Sequence, residues 1–251
     1  MSQYAIAEPK PSDVRQMKCL WMNVFGDALD DINWFFQKLY RPERSLIAKQ
    51  GDKVLSMLNS IEYSAWVDGR NYKGAYLYAV ATDESFRGCG LSSRLIQAHI
   101  EQLKSNGLDF AFLIPETQSL FSFYRRWGFQ DALKRRLYRI ENDYVAFPEK
   151  SYPDIKELYQ RYLYHLSGRR TYIRMDFDSF AFTAKQREIL LTDVGYVLYA
   201  HMPTGIDVRE CAGDFPHWLK DTGETETTGM ILPLNPKFPK NCKFELANLL
   251  N

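Results

Sequence analysis

Larger and smaller side chains alternate at Tyr4-Ala5-Ile6-Ala7, which reads as a first strand, and Pro9 and Pro11 close it. Val14, Met17, Leu20 or Trp21, and Val24 then recur at helical spacing, which predicts a helix over residues 13–25. Ser12 is placed to cap it, Asp13 suits its positive end, and Gly26 stops it. A second helix is predicted over residues 30–39, before Pro42. Strand-like runs follow at 45–49 and 54–58, flanking the turn-forming Gln50-Gly51-Asp52-Lys53. A second turn, Val67-Asp68-Gly69-Arg70, precedes the strong strand signal at 74–81. Leu91, Leu95, Ile96, Ile100 and Leu103 share one face of a helix predicted over 91–104, and Gly107 suits its left-handed end. Residues 110–114 read as a buried strand, and 119–127 as a short helix leading to Gly128-Phe129.

The pattern restarts near Phe147. Ser151-Tyr152-Pro153-Asp154 resembles a helix start, with a cap, a proline at the first position and an acid in the first turn. Ile155, Leu158, Tyr162 and Leu166 face one way and Gly168 ends the run. Strands at 188–192, 195–201 and 208–211 form a predicted meander. This order of a helix and three strands loosely repeats the first half, so two domains are expected, 1–145 and 146–251.

A length of 251 residues suits that division, and 45% hydrophobic with 25% charged residues is ordinary globular composition. Thirty-two basic residues against 31 acidic ones leave a net charge of +1, which gives no electrostatic case for nucleic acid or an anionic membrane as partner. Cys19, Cys89, Cys211 and Cys242 lie far apart with no C-x-x-C, and His99, His165, His201 and His217 lack metal-ligand spacing. No metal or disulfide framework is expected, and a reducing, cytoplasmic setting fits best. The N-terminus has no signal-peptide pattern, and the longest apolar stretch, 75–81, is too short to span a bilayer. The oligomeric state is not legible.

The segment with chemical content joins a strand to a helix: Arg87-Gly88-Cys89-Gly90-Leu91-Ser92-Ser93. Glycines at 88 and 90 permit positive φ and keep side chains out of the way. Successive backbone N–H groups can then converge at the positive end of the following helix, an arrangement suited to a pyrophosphate, with Arg87 adding a charged contact. The Rossmann and Walker patterns are absent. The plainer alternative is an ordinary strand-to-helix turn.

Over residues 4–139 the sequence resembles the GNAT superfamily of acetyl-CoA-dependent N-acetyltransferases. The resemblance rests on Tyr78-Ala79-Val80-Ala81-Thr82 before the glycine loop, and on Leu113-Ile114-Pro115 followed by Phe123-Tyr124-Arg125-Arg126-Trp127-Gly128-Phe129. The family's phosphate signature is Arg/Gln-x-x-Gly-x-Gly/Ala, and this chain departs from it with Ser92 in the last position. The layout looks most like the enhanced-intracellular-survival (Eis) type, through Val67-Asp68-Gly69-Arg70 and, more weakly, Val208-Arg209-Glu210-Cys211. That likeness implies an α+β GNAT fold, with a mostly antiparallel sheet whose central strands splay, followed by a degenerate GNAT-like second half. The chain stops short of that type's sterol-carrier-like third domain. The second half lacks the phosphate signature, so one cofactor site is expected, in the first half.

The resemblance further implies that acetyl-CoA is the co-substrate and that the acceptor is a primary amine on a small molecule or peptide. The backbone of Val80, Ala81 and Thr82 would pair with the pantetheine arm, and an N–H near Val80 or Ala81 would stabilise an oxyanion. Tyr124 would be the acid that protonates the sulfur; the alternative is one more helix aromatic. Glu116 is the candidate base. In the Eis type a terminal carboxylate has that part, a role not carried over to Asn251. Asp27, Asp30 and Asp31 offer a cationic amine an anchor, against the plainer reading of a solvated acidic cap. Lys134-Arg135-Arg136 with Arg139 reads as a solvated basic face or a contact for the ribose phosphate. His99 reads as a partly buried packing residue, and Cys89 as a tolerated loop residue. The rival to an enzyme is a catalytically silent acetyl-CoA-binding module.

Overall fold

The computed structural model describes residues 4–140, 153–202, 205–213, 219–239 and 242–245, in places as backbone only. The Ser151-Tyr152 helix start, the Arg139 and Arg209 side chains, His217 and Asn251 lie outside the described residues. The chain divides into two compact units built from interleaved stretches. The first takes the described residues up to Tyr63, then Tyr72–Gln130 and Ile231–Lys240; the second takes Ser64–Asn71, Asp131–Met230 and the described residues from Cys242.

The first unit begins with β1 (Ala5–Ala7), a 3-10 turn at Pro11–Asp13, α1 (Val14–Phe25) and α2 (Leu29–Lys38). β2 (Ser45–Gln50), β3 (Lys53–Val67) and β4 (Arg70–Thr82) follow, then α3 (Leu91–Ser105), β5 (Phe110–Leu113) and α4 (Gln118–Arg125). Strands β1 to β5 lie side by side in chain order. β1 and β2 are antiparallel, as are β2 and β3, whereas β5 runs parallel to β4. The apolar faces read from the sequence are buried, Met17, Leu20 and Trp21 on α1 and Leu91, Leu95, Ile96, Ile100 and Leu103 on α3, and α2 buries Ile32 and Phe35. Gly26 and Gly107 take the left-handed conformation at φ 73° and 72°.

Two local expectations are corrected. Ser12 does not cap α1; it lies inside the 3-10 turn, and no side chain caps α1. Asp13 serves a different purpose, because its buried carboxylate accepts from the Lys10 N–H and pairs with Lys49 of β2 at 2.9 Å. Burial opposes that charge, but the Lys49 and Lys10 contacts outweigh it and hold the carboxyl below its usual range. The strands also outrun their apolar cores. β3 extends to Val67 because Ser64–Val67, part of the second unit, pairs antiparallel with Thr171–Arg174 of the same unit, a long-range pairing that no local hydrophobic run marks.

The second unit contains β6 (Gln130–Ile140), α5 (Ile155–Ser167), β7 (Thr171–Arg174), α6 (Phe177–Lys185), β8 (Glu188–Leu191), β9 (Tyr196–Met202), β10 (Gly205–Ala212), β11 (Leu219–Pro233) and β12 (Phe244–Glu245). β8, β9 and β10 form the predicted antiparallel meander as a sheet of their own, with β9 in the middle. The cap of α5 is Asp154, whose carboxylate accepts from the Lys156 N–H, so Pro153 precedes the helix instead of opening it. Tyr162 of α5 lies against Phe180 of α6 at 4.9 Å, and both are fully buried.

The basic run on β6 is also corrected. Arg135 pairs with Glu226 and Arg136 with Asp221, each at 2.5 Å, so these two are strand-to-strand partners of β11 and not a freely solvated face.

Candidate active site

Asp109 fixes the start of the site. Its N–H bonds Lys73 O, its carboxylate accepts from the Lys73 N–H and the Asn235 amide, and its carbonyl accepts from Leu234 and Asn235. The adjacent ends of β4 and β5 are thereby clamped in register. Gly74 is required there, since an added Cβ would lie 2.2 Å from the Phe110 ring. The parallel pairing covers only Gly74↔Phe110, Ala75↔Ala111 and Tyr76↔Phe112. β4 then runs on to Thr82 while β5 ends at Leu113, so the two strands part after Tyr76.

Within that unpaired stretch Tyr78, Ala79 and Val80 are only half-buried, unlike Ala75 to Leu77 before them. Ala79 adopts φ 49°, a left-handed conformation that an L side chain occupies at a cost of about 1–2 kcal/mol. Val80, Ala81 and Thr82 remain part of β4 but lie beyond its pairing with β5. Tyr78 closes one side of an aromatic cluster with Trp21 and Phe35, at 5.4 and 5.5 Å.

At the far end of β4 the chain enters the glycine loop. Asp83 holds the entrance: its N–H bonds Leu55 O, its carboxylate accepts from the Ser85 N–H, and Lys53 pairs with it at 3.3 Å. The Ser85 bond contributes most to keeping that carboxyl below its usual range. Gly88 and Gly90 have φ 77° and 75°, and a Cβ at either would meet nothing within 4 Å, so the loop faces open space. Among the described residues, no backbone bond engages a loop N–H between Arg87, which closes on Glu84 O, and Arg94, which bonds Gly90 O. The first-turn N–H groups of α3, at Leu91, Ser92 and Ser93, have no partner within the helix. Arg87 and Cys89 are exposed, and Arg87 makes no ion pair among the described residues. The arrangement is a set of unengaged peptide donors at a positive helix end.

Ser92, where the family pattern has glycine or alanine, is explained by a hydroxyl chain. Ser56 donates to Ala81 O at 2.8 Å, so it accepts from Thr82, and Thr82 in turn accepts from Ser92 at 2.9 Å. The serine side chain is spent on β3 and β4 and does not fill the loop. Neither Asp83 nor this chain was singled out from the sequence. An acid two residues before Ser85 at a strand end is a legible turn signal, whereas the Ser56 contact is long-range.

Tyr124 lies on α4, buried, with its ring edge-on to Phe129 at 5.8 Å. Its phenol is within electrostatic reach of that of Tyr76, the last residue of β4 still paired with β5. Burial pushes the Tyr124 hydroxyl up to about 12, and it has no hydrogen-bond partner among the described residues. Glu116 is exposed in the turn between β5 and α4. The three acidic residues separate by role. Asp27 accepts from the Trp21 indole at 2.7 Å, anchoring α1, while Asp30 and Asp31 occupy the first turn of α2, where acids suit the helix dipole. His99 is fully buried and held between Ser60 and Gln102 at 3.0 and 2.9 Å, a more enclosed place than the sequence suggested. Burial drives it down to about 4 against the Gln102 bond.

Among the described residues no cluster of His, Cys, Asp and Glu could hold a metal ion, and no helix is long and apolar enough to cross a membrane. No curated protein matches the chain in sequence. Solved structures do match its fold. A GCN5-related N-acetyltransferase from Anabaena variabilis shares 15% identity, with a TM-score of 0.70 over 93% of this chain and 73% of that one. A probable N-acyltransferase from Enterococcus faecalis gives 14% and 0.69 over 92% and 73%. Eis1 from Mycobacterium abscessus gives 10% and 0.67 over 92% and 74%. Each alignment runs through both halves. The family model of the acetyltransferase (GNAT) domain matches residues 5–132, spanning β1 to β6, with the parted strands, the glycine loop and Tyr124 inside it, and the chain belongs to that family.

Proposed function

We propose that the protein is an acetyl-CoA-dependent N-acetyltransferase acting on a primary amine. The observation that carries this reading is the parting of β4 and β5 after Tyr76↔Phe112, with the Tyr124 phenol within electrostatic reach of Tyr76 and the open glycine loop at the end of the same strand. The residues fit the co-substrate: the N–H groups of residues 88–93 with Arg87 would hold the diphosphate, and the unpaired stretch at Val80, Ala81 and Thr82 would take the amide-bearing arm. A thioester supplies an acyl group already activated for attack by an amine.

The chain's own residues then have three tasks. The loop and strand fix position, which is worth up to about 7–11 kcal/mol of barrier when reacting atoms are held in line. Tyr124 delivers a proton to the departing sulfur; held up to about 12, it stays protonated throughout the working range. Glu116, exposed at the turn before α4, takes the amine's proton, directly or through water. Residues 1–145 would be the catalytic domain and 146–251 a degenerate second GNAT-like half in the manner of the Eis type, in a cytoplasmic protein.

The test is release of free thiol from acetyl-CoA by the full chain against a panel of amines. The wild type should turn over at least one, and Tyr124→Phe should lose about two to four decades in kcat with acetyl-CoA affinity unchanged. Equal turnover in that variant contradicts the role of Tyr124. Tight acetyl-CoA binding with no thiol release on any amine would favour a silent sensor module.

A further inference from the structure

The second unit holds a cleft of about 520 Å3, the size of a small-molecule site, that acyl transfer in the first unit leaves without a role. Its wall is cationic: Arg136 from β6, His165 from α5, Arg169 and Arg170 from the link to β7, and Lys243 before β12, with no acidic side chain among its lining residues. Two of these cations are already paired, Arg136 with Asp221 at 2.5 Å and Arg170 at 2.9 Å with Asp68, an acid that lines the adjoining cleft. Arg169 differs, because it is half-buried yet its guanidinium makes no ion pair or hydrogen bond among the described residues.

The acid that acts on Arg169 is Glu210, but it is bonded to Tyr196 and makes no ion pair or hydrogen bond with the guanidinium among the described residues. Glu210 is fully buried, bonded to Tyr196, and pushed up to about 7 by that burial against the pull of Tyr196 and Arg169. A cation half withdrawn from water with no opposite charge in contact is costly, and a bound anion relieves that cost. The cleft floor is built before any ligand arrives. A Cβ on Gly195 would lie 1.8 Å from Ala212 O, and one on Gly213 would lie 3.2 Å from the His165 ring, so bare backbone crosses there. His165 is fixed in turn by donating to Val194 O at 3.0 Å.

A second cleft, of about 400 Å3, shares Arg169 and Arg170 with the first. Its wall includes Trp66 and Tyr172, a cross-strand pair with rings 6.4 Å apart and 18° from parallel. We propose that the paired clefts bind a small, multiply charged oxyanion, with Arg169 making the central contact and the Trp66–Tyr172 pair supporting the flat or apolar body of the same molecule. Arginine's planar fork suits phosphate and carboxylate oxygens alike.

The test uses calorimetry of the full chain at low ionic strength, with inorganic pyrophosphate in one arm and citrate in the other. Both arms are run on Gly90→Val protein, which removes the proposed diphosphate site of the first unit from the measurement. At least one anion should bind, and adding Arg169→Gln should weaken it tenfold or more, with Arg169→Lys recovering part of the loss. The tighter arm shows whether phosphate or carboxylate is the natural group. No heat in either arm, or unchanged affinity in Arg169→Gln, overturns the proposal. Should Arg169→Gln fail to fold, the exposed Lys243→Gln takes its place: weakening of about threefold supports the site, and no change overturns it. A flat acetyl-CoA titration of the wild type would bear on the acyltransferase reading alone.

Discussion

Ala79 and Ser92 mark the two places where single residues of the site depart from the simplest pattern, and each has a physical account. Ala79 sits at φ 49° inside a strand, so the choice of side chain there is limited by backbone strain. Ala79→Gly should leave stability within about 0.5 kcal/mol, because relief of strain offsets the added chain entropy. Ala79→Val should cost about 2 kcal/mol, as β-branching makes the left-handed region worse. Urea melts of the two variants check this, and equal midpoints would contradict it. Ser92 donates into the Thr82–Ser56 chain, so Ser92→Ala should cost about 1 kcal/mol of stability while leaving acetyl-CoA affinity within twofold. A tenfold loss of affinity would mean that the hydroxyl faces the ligand after all. The glycines, Ser92 and Tyr124 could be picked out by residue type and spacing. Ser56 could not be given its role that way, since its partners Ala81 and Thr82 lie 25 and 26 residues away; the Asp83 turn with Ser85 is local, but its bond to Leu55 O is long-range.

At the scale of elements, legibility followed hydrophobic periodicity. The faces of α1 and α3 and the β8–β9–β10 meander were readable because each buries a regular apolar set. β11 carries Lys-Asp-Thr-Gly-Glu-Thr-Glu-Thr-Thr and offers no such signal; it is held by Asp221, Thr222 and Glu226 bonding β6. α6, with three Phe in nine residues, lacks the polar stripe that marks a surface helix. The parting of β4 and β5 is a matter of register, fixed by Asp109 and Gly74, and register is not written locally. α3 also carries a titration. His99 has its folded pKa lowered to about 4 from 6.5 by burial, so the native state binds fewer protons than the unfolded chain between those values. Its contribution is full above pH 6.5 and is lost as pH falls toward 4, by about 3 kcal/mol. Replacing it by His99→Gln should flatten that acid limb; an unchanged limb would place the loss elsewhere.

For the molecule as a whole, the two units should respond to pH in opposite senses. Glu210 in the second unit has its folded pKa raised to about 7 by burial, so its contribution is present below the unfolded value of 4.5 and fades as pH rises through 7. Amide exchange, corrected for intrinsic rate, should therefore show α3 losing protection from pH 7 to pH 5 while β9 and β10 gain it. Parallel changes in both units would contradict that assignment. The second unit's cationic cleft adds a separate binding property to a chain whose net charge of +1 gives no hint of it, because the clustered arginines are balanced by acids elsewhere.

The central claim is that bare peptide N–H groups of residues 88–93 hold the diphosphate of acetyl-CoA, and calorimetric titration with acetyl-CoA tests it most directly. The account predicts one site per chain for the wild type and none for Gly90→Val, whose φ of 75° makes a β-branched side chain strained but whose surroundings are open enough to keep the fold. No heat with the wild type, or full affinity in a folded Gly90→Val protein, would contradict it.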